Sequence, residues 1–334
     1  MFKDKKILVI GGTGAIGDRL VNRLLREEPE VIRVFSRDEY KQYLLQNEIN
    51  HYDNLSYLIG DIRDYQRLSS AMQDIDYVFH LAAMKHVPSC EYNPYEAVQT
   101  NVHGTYNVIQ AAMAQGVEKV LFTSSDKAVS PTNTYGATKL TAERLISSTE
   151  YSKGEVKTIF ASVRFGNVLG SRGSVVPLFQ RQIHTQRKIT VTDLNMTRFM
   201  MTLNQATELM MEALQKAEGG EVFVLKMPVI LLKDLAEVVI DETCQKHQLN
   251  HEDIQIEEIG LRPGEKMYEE LMTYDESTMA WELEEMYIIP GHQQSGLWNL
   301  GANRTDHGTY SSNRVTPISV EEVRQLLLSE QLID

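Results

Sequence analysis

Tyr135 and Lys139 stand four residues apart in the run Thr134-Tyr135-Gly136-Ala137-Thr138-Lys139. At the start of a helix that spacing puts both side chains on one face. An ammonium beside a phenol stabilises the phenolate, which makes tyrosine a usable base near neutral pH. Ser124 and Ser125 precede this run at the end of an apolar stretch, where a hydroxyl can hydrogen-bond a reacting oxygen. Together these groups suit the removal of a proton from a hydroxyl while hydride leaves the carbon that bears it. Asp126 and Lys127 follow at once. Taken as residue types alone, they are an ion pair after a strand.

Hydride chemistry needs a hydride carrier, and the first turn of the chain is built for one. Gly11, Thr13, Gly14, Ala15, Ile16 and Gly17 join an apolar strand to an amphipathic pattern. Glycines here allow a tight turn, let backbone N–H groups approach a pyrophosphate, and let the helix pack close to the strand. NAD sites carry an acidic residue at the end of the second strand to bond the ribose 2′-hydroxyl. Here Ser36 and Arg37 stand in that place, with Lys41 one helical turn on. A hydroxyl and two cations suit a 2′-phosphate, so NADP is the expected cofactor. Asp61 and Ile62, after the third strand, are expected beside the adenine. Leu81, Ala82 and Ala83 supply a wall of small residues after the fourth.

The elements that position these groups alternate. Apolar runs at 7–10, 31–35, 55–59, 77–81, 119–124 and 158–164 read as strands, with helical patterns between them, notably 95–114 and 135–148. Alternation of this kind predicts an α/β fold, a doubly wound parallel sheet of Rossmann type covered on both faces. The regularity breaks near Asn167. Strand patterns at 189–192, 221–225 and 254–256 mix with helical ones at 175–183, 204–215 and 232–245, which reads as a smaller mixed α/β substrate lobe. The expected division is 1–166 for the cofactor domain and 167–334 for that lobe and a tail, interleaved in space. The polar stretch 291–314 reads as a loop or tail excursion, and 320–328 as a last helix.

Bulk composition narrows the classes. The chain has 334 residues and a net charge of -13, which argues against a nucleic-acid binder. Its two cysteines, Cys90 and Cys244, are too few for a disulfide framework or a cysteine zinc site, so no metal is expected and a reducing cytoplasm is the expected location. No signal-peptide core and no run long enough to span a bilayer is seen.

The sequence resembles the extended short-chain dehydrogenases/reductases, and within them the UDP-N-acetylglucosamine 4,6-dehydratases, including those that start pseudaminic acid biosynthesis. The resemblance runs along nearly the whole chain. It rests on Gly11–Gly17, Ser36-Arg37-Asp38-Glu39, the run from His80 to Pro88, the segment from Asp126 to Lys139, Phe165-Gly166-Asn167-Val168, Thr197-Arg198-Phe199 and Arg262-Pro263-Gly264-Glu265-Lys266. The adjacent Asp126-Lys127 is its most specific part. The resemblance implies that Tyr135 removes the O4 proton as C4 gives hydride to NADP+, with Lys139 and Ser125 assisting. Lys127 would then take the C5 proton, Asp126 would protonate the departing C6 hydroxyl, and hydride would return to C6. Lys127 must be neutral for part of the cycle, which a desolvated site would favour. The resemblance also implies substrate contacts from Lys85, His86, Asn167, Arg198, Arg262 and Glu265. UDP-N-acetylglucosamine is the implied partner and a homo-oligomer the implied assembly. Ser125 stands where the family often has Thr. Tyr135 stands where relatives that retain configuration at C5 often have Met, which leans towards C5 inversion.

Two rivals remain. A UDP-hexose or UDP-N-acetylhexosamine 4-epimerase would share Tyr135, Lys139 and the glycine turn but would not need Asp126 and Lys127 as an acid–base pair. A non-catalytic NADP-binding sensor should tolerate loss of Tyr135 or Lys139, yet both are present at catalytic spacing.

Overall fold

The computed structural model describes residues 1–171, 173–291 and 301–333. Strands and helices alternate through β1 (Lys6–Ile10), α1 (Ala15–Leu25), β2 (Val31–Ser36), α2 (Glu39–Glu48), β3 (Leu55–Ile59), α3 (Tyr65–Ala71) and β4 (Tyr77–His80). Two short helices, α4 (Val87–Tyr92) and α5 (Pro94–Ala97), lead through a π-helical stretch (Val98–His103) into α6 (Gly104–Gln115). β5 (Lys119–Thr123), α7 (Thr134–Ser152) and β6 (Ile159–Arg164) complete the alternation. Then come β7 (Asn167–Val168), α8 (Val175–Gln186), β8 (Lys188–Val191), β9 (Thr197–Met201), α9 (Leu203–Lys216), β10 (Val222–Leu225), β11 (Val229–Leu231) and α10 (Leu232–His247). The rest holds β12 (Gln255–Glu258), β13 (Glu270–Met272), α11 (Tyr274–Ser277), β14 (Trp281–Glu282), β15 (Met286–Ile289), β16 (Asn303–Arg304), β17 (Tyr310–Ser311) and α12 (Val320–Ser329).

Among the described residues, ten strands form one sheet in the order β16-β14-β15-β10-β6-β5-β4-β1-β2-β3. From β3 to β10 every pairing is parallel; β15, β14 and β16 extend the sheet antiparallel. The chain starts in the middle, runs outward through β2 and β3, then returns to β4 on the other side of β1. That reversal leaves a crevice at the carboxyl ends of β1 and β4, where ligands bind in open α/β sheets. β1 and β4 are wholly apolar in their buried part apart from His80, as strands covered on both faces must be. α1 buries Leu20, Val21, Leu24 and Leu25, and these join one core with Ala206, Leu209, Met210 and Ala213 of α9. A second apolar core gathers Val176, Phe179 and Ile183 of α8, Leu235, Val238 and Val239 of α10 and Val323 and Leu327 of α12.

Three differences from the sequence expectation have physical causes. Residues 221–225 were expected in the smaller lobe, yet β10 pairs with β6 in the large sheet, Val222 opposite Ser162 and Val224 opposite Arg164. An apolar strand reads the same in either sheet. The single helix expected at 95–114 is broken at the π-helical stretch, where the buried Asn101 amide accepts from Met84 N at 2.7 Å and donates to Met84 O and Thr138 Oγ1, both at 3.0 Å. The excursion expected at 291–314 carries β16 and β17, and its residues 292–300 lie outside the described residues.

Candidate active site

A cavity of about 770 Å³ opens over the crevice between β1 and β4. Gly11, at the end of β1, has a φ of +85°, and a Cβ there would come within 2.9 Å of Ala82 N. Only glycine lets the ends of β1 and β4 approach so closely. A Cβ on Gly17 would lie 2.4 Å from Gly11 O, so the start of α1 is pressed onto the turn. Gly14 caps α1 without any side-chain hydrogen bond, and Gly11, Thr13, Gly14, Ala15, Ile16 and Gly17 all line the cavity. Uncapped first-turn amides at a cavity wall suit an anionic group. Leu81, Ala82, Ala83 and Ile62 line the same cavity.

At its far end stand Ser36, Arg37, Asp38 and Lys41. Ser36 Oγ accepts from Gln42 Nε2 at 3.0 Å, the Arg37 side chain is more than half exposed, and Lys41 Nζ lies 3.0 Å from Asp38. Asp61 lies between Gly60 and Ile62 of the lining; Arg63 takes its carboxylate through Nη2 at 2.7 Å and Nε at 3.0 Å, and Arg37 Nη1 stands 3.7 Å from it.

The other end holds the reactive groups. Ser125 caps a single 3-10 turn, Asp126–Ala128. Ser125 Oγ donates to Asp126 Oδ1 at 2.8 Å, and Lys127 Nζ reaches both Asp126 oxygens at 3.1 and 3.2 Å. Asp126 is 1 % exposed. The turn packs on α7 at Gly136, where a Cβ would lie 2.1 Å from Lys127 O. Asn133 caps α7 by accepting from Gly136 N at 2.9 Å, so Tyr135 enters the helix directly beneath the turn. Tyr135, Lys139, Ser125, Asp126 and Lys127 all line the cavity, as do Lys85, His86 and Asn167.

The electrostatics depart from two expectations. Burial pushes the Tyr135 phenol above its usual pKa, opposed by its hydrogen bond to Ser125 and by the charge of Lys127. Lys139 instead points its Nζ at Thr123 O, 2.5 Å away, over the ring of Phe122, and burial brings it down to about 7 despite Glu143. The ammonium that eases Tyr135 ionisation in this geometry is therefore that of Lys127. Nor does desolvation neutralise Lys127. Burial works against its charge, but Asp126 and then Glu269 outweigh burial and hold it above its ordinary value.

A second recess of about 160 Å³ adjoins the first, and Lys127 and Asn167 line both. Arg198, Arg262 and Glu265 lie here. The Arg198 guanidinium is engaged by three carbonyls, Thr197 O at 2.8 Å, Met267 O at 3.2 Å and Lys266 O at 2.7 Å. Glu265 Oε2 accepts from Arg262 N at 3.1 Å, which leaves the Arg262 side chain at the exposed rim. Gly264, with a φ of +80°, lets this loop dock on the loop before α7, where its carbonyl accepts from Thr132 Oγ1 and Asn133 Nδ2, both at 3.0 Å.

The family model described as "Polysaccharide biosynthesis protein" matches residues 7–291. The chain belongs to this family of extended short-chain dehydrogenases/reductases. An uncharacterized membrane protein of Methanocaldococcus jannaschii is 47% identical over 98% of this chain and 96% of its own. The UDP-N-acetylglucosamine 4,6-dehydratase (inverting) of Campylobacter jejuni is 42% identical over 86% of this chain and 84% of its own. UDP-glucose 4-epimerases of Rickettsia are 36% identical over 98% of this chain and 97% of theirs. The X-ray structure of Pen from Bacillus thuringiensis superposes with a TM-score of 0.95 at 61% identity, covering 100% of both chains. Among the described residues no helix is long and apolar enough to cross a membrane.

The cavity of this family member fits a dinucleotide by its own chemistry. Besides the uncapped amides of α1, its wall carries Ser124 Oγ and Asn167 Oδ1, both buried without a hydrogen-bond partner. Buried polar atoms left unpaired are costly, and a polar ligand would satisfy them. Glu269 escaped the sequence reading. Its carboxylate is buried 3.5 Å from Lys127 Nζ, with Oε2 unpartnered. The one available signal was its position just past the Arg262–Lys266 motif, and nothing there distinguishes it from the neighbouring Glu270.

Proposed function

We propose that this chain is an NADP-dependent UDP-N-acetylglucosamine 4,6-dehydratase. The observation that carries the reading is the turn of buried Asp126 and half-buried Lys127, held against α7 by the close approach at Gly136, with Lys127 facing both recesses. An enzyme that only oxidises and reduces C4 has no use for a second acid–base pair there. The dinucleotide, when bound, supplies the acceptor and later the donor of hydride. Tyr135 takes the O4 proton, with the Ser125 hydroxyl beside it on the cavity wall. The C4 ketone acidifies the C5 hydrogen, which Lys127 removes, and Asp126 delivers a proton to the departing C6 hydroxyl. Lys139 at about 7 is poised to exchange a proton near neutral pH, which suits a role beside the Tyr135 proton. Arg262 at the rim and Asn167, which lines both recesses, would meet the diphosphate and sugar. NADP over NAD is supported by Ser36, Arg37 and Lys41 at the far end of the cavity, and 2′-phosphate recognition would release Lys41 from Asp38.

The test is the mass of the product after incubation with UDP-N-acetylglucosamine, with NMR for its configuration and chromatography of the nucleotide released on denaturation. Loss of one water and recovery of NADP are expected. A second reading, a 4-epimerase, is favoured by the charged state of Lys127, since an ammonium is not a base, and by the Rickettsia relatives. Unchanged mass with an altered C4 configuration would establish it instead.

A further inference from the structure

In the dehydratase reading Lys127 must give up a proton before it can accept one from C5. The site surrounds its ammonium with groups that favour charge: Asp126, Glu269 and, through its oxygen, Tyr135, against Arg198. Asp126 is the acid for the leaving hydroxyl, and a second acceptor beside the ammonium lets the amine form before that acid is engaged. One carboxylate of unassigned purpose faces the ammonium. Glu269 is 4 % exposed, its Oε1 lies 3.5 Å from Lys127 Nζ, and its Oε2 is buried with no partner. It lines the second recess together with Lys127, Arg198 and Lys266. Its backbone is fixed, since Glu269 N donates to Ser312 Oγ at 3.0 Å and Ser312 N donates to Glu269 O at 2.9 Å. Ser312 Oγ is in turn 2.9 Å from Thr197 Oγ1 on β9. At 3.5 Å the contact with Lys127 is an ion pair and not a full hydrogen bond. An anionic carboxylate buried in this way, with one oxygen unsatisfied, is costly, and a proton removes that cost.

We propose that Glu269 is the positioning residue that frees Lys127 to act: it takes a proton from the Lys127 ammonium and holds it through the elimination. This rests on the dehydratase reading of the same site. The proton count closes without an external acid. Lys127 passes a proton to Glu269, leaving a neutral amine and a carboxylic acid. The amine takes the C5 hydrogen, and the C5–H electron pair becomes the C5–C6 double bond as the C6–O bond breaks. The proton now on Lys127 crosses to Asp126, 3.1 Å away, and on to the departing hydroxyl, which leaves as water. Glu269 then returns its proton to Lys127. Burial already disposes Glu269 towards the protonated form, although Lys127 opposes this, as do Arg198 and Lys266; Asp126 adds to it. The Lys266 ammonium is itself drawn off towards Val129 O at 3.0 Å.

The test uses the full chain with its dinucleotide and compares the parent with Glu269→Gln and Glu269→Asp. Nicotinamide absorbance on adding UDP-N-acetylglucosamine reports C4 oxidation. Exchange of the C5 hydrogen with deuterated solvent and loss of water report elimination. Glu269→Gln is expected to oxidise C4 within about threefold of the parent while elimination falls about 100-fold, the scale of one acid–base function. Its residual elimination should climb with pH, because Lys127 must then lose its proton to solvent. Glu269→Asp, which keeps a carboxyl, should recover part of the rate with the parent's flatter pH profile. Oxidation and elimination falling together in both variants, or elimination falling with an unaltered pH profile, would show that Glu269 only supports the fold, and would overturn the proposal. A Glu269→Gln chain that eliminates at the parent rate would do the same while leaving the dehydratase reading intact. A parent that epimerises without losing water removes that reading, and this inference with it. Should Glu269→Gln fail to fold, the pH profile of Glu269→Asp decides: matching the parent supports the proposal, and a profile rising with pH overturns it.

Discussion

Two lysines in one cavity, Lys127 and Lys139, end in opposite electrostatic states because of what each one meets. Lys127 meets two carboxylates and keeps its charge; Lys139 meets a carbonyl and an aromatic face and is driven to about 7 by burial. The folded chain therefore resists protonating Lys139 where the unfolded chain does not. As pH falls from the ordinary 10.5 towards about 7, the unfolded state gains a proton the folded state refuses, and stability drops; below that range the penalty is constant. Lys139→Met should raise the melting temperature of the dinucleotide-free chain relative to the parent, with the gap widening down to about pH 7, while abolishing turnover. A variant less stable than its parent at neutral pH would contradict this account of the burial. Asp126→Asn combined with Lys127→Ala separates the two halves of the reaction. Asn cannot act as a carboxylic acid and Ala has no base, so the nicotinamide absorbance should grow on substrate addition, more slowly than in the parent because Tyr135 loses the Lys127 charge, and then stall. Dehydrated product at near the parent rate would mean that neither residue serves as acid or base.

Between the turn Asp126–Ala128 and α7 the spacing is set by one missing methyl. With Lys127 O 2.1 Å from where a Gly136 Cβ would sit, Gly136→Ala must push the turn and the helix apart. The carboxyl and amine would move away from Tyr135, and a displacement of about an ångström can cost on the order of 100-fold in rate. Turnover is expected to fall on that scale with only a few degrees' loss in melting temperature, since the core beneath α7 is untouched. Turnover close to the parent value would show that the turn accommodates the methyl without moving its side chains.

Across the molecule, the catalytic helix is tied to the late part of the chain by a buried ion cluster. Arg164, at the end of β6, donates to Glu143 of α7 at 2.6 and 2.8 Å and to Glu276 of α11 at 2.7 and 2.9 Å. Burial would raise the Glu276 carboxyl, but Arg164 holds it below its ordinary 4.5. A depressed carboxyl stabilises the fold above its unfolded pKa and loses that contribution as pH falls through its folded pKa. Glu276→Gln should cost about 2 kcal/mol at neutral pH, because Arg164 loses one charged hydrogen-bond partner while Glu143 still compensates its charge. Thermal melts of parent and variant between neutral and strongly acidic pH should converge at the acid end. A gap that stays constant with pH would show that the ion pair is not the source of the difference.

Much of this arrangement could be read along the chain, because it depends on local spacing. The i, i+4 relation of Tyr135 and Lys139, the glycines before α1, and the alternation of apolar strands with amphipathic helices all follow from helical and strand periodicity, which needs no knowledge of distant residues. The substituted second-strand end, with Ser36 and Arg37, is local in the same sense. The tertiary structure decided what depends on contacts remote in sequence. β10 joins the large sheet because β6 offers it an edge, though an apolar run carries no record of its partner. The carbonyls of Met267 and Lys266 take Arg198 because a distant loop delivers those acceptors. Lys127 stays charged against burial first because of its neighbour Asp126, which could be read along the chain, and then because Glu269, remote in sequence, is folded against it. A protonation state is set by burial and by the charges within a few ångströms, and both are properties of the folded chain.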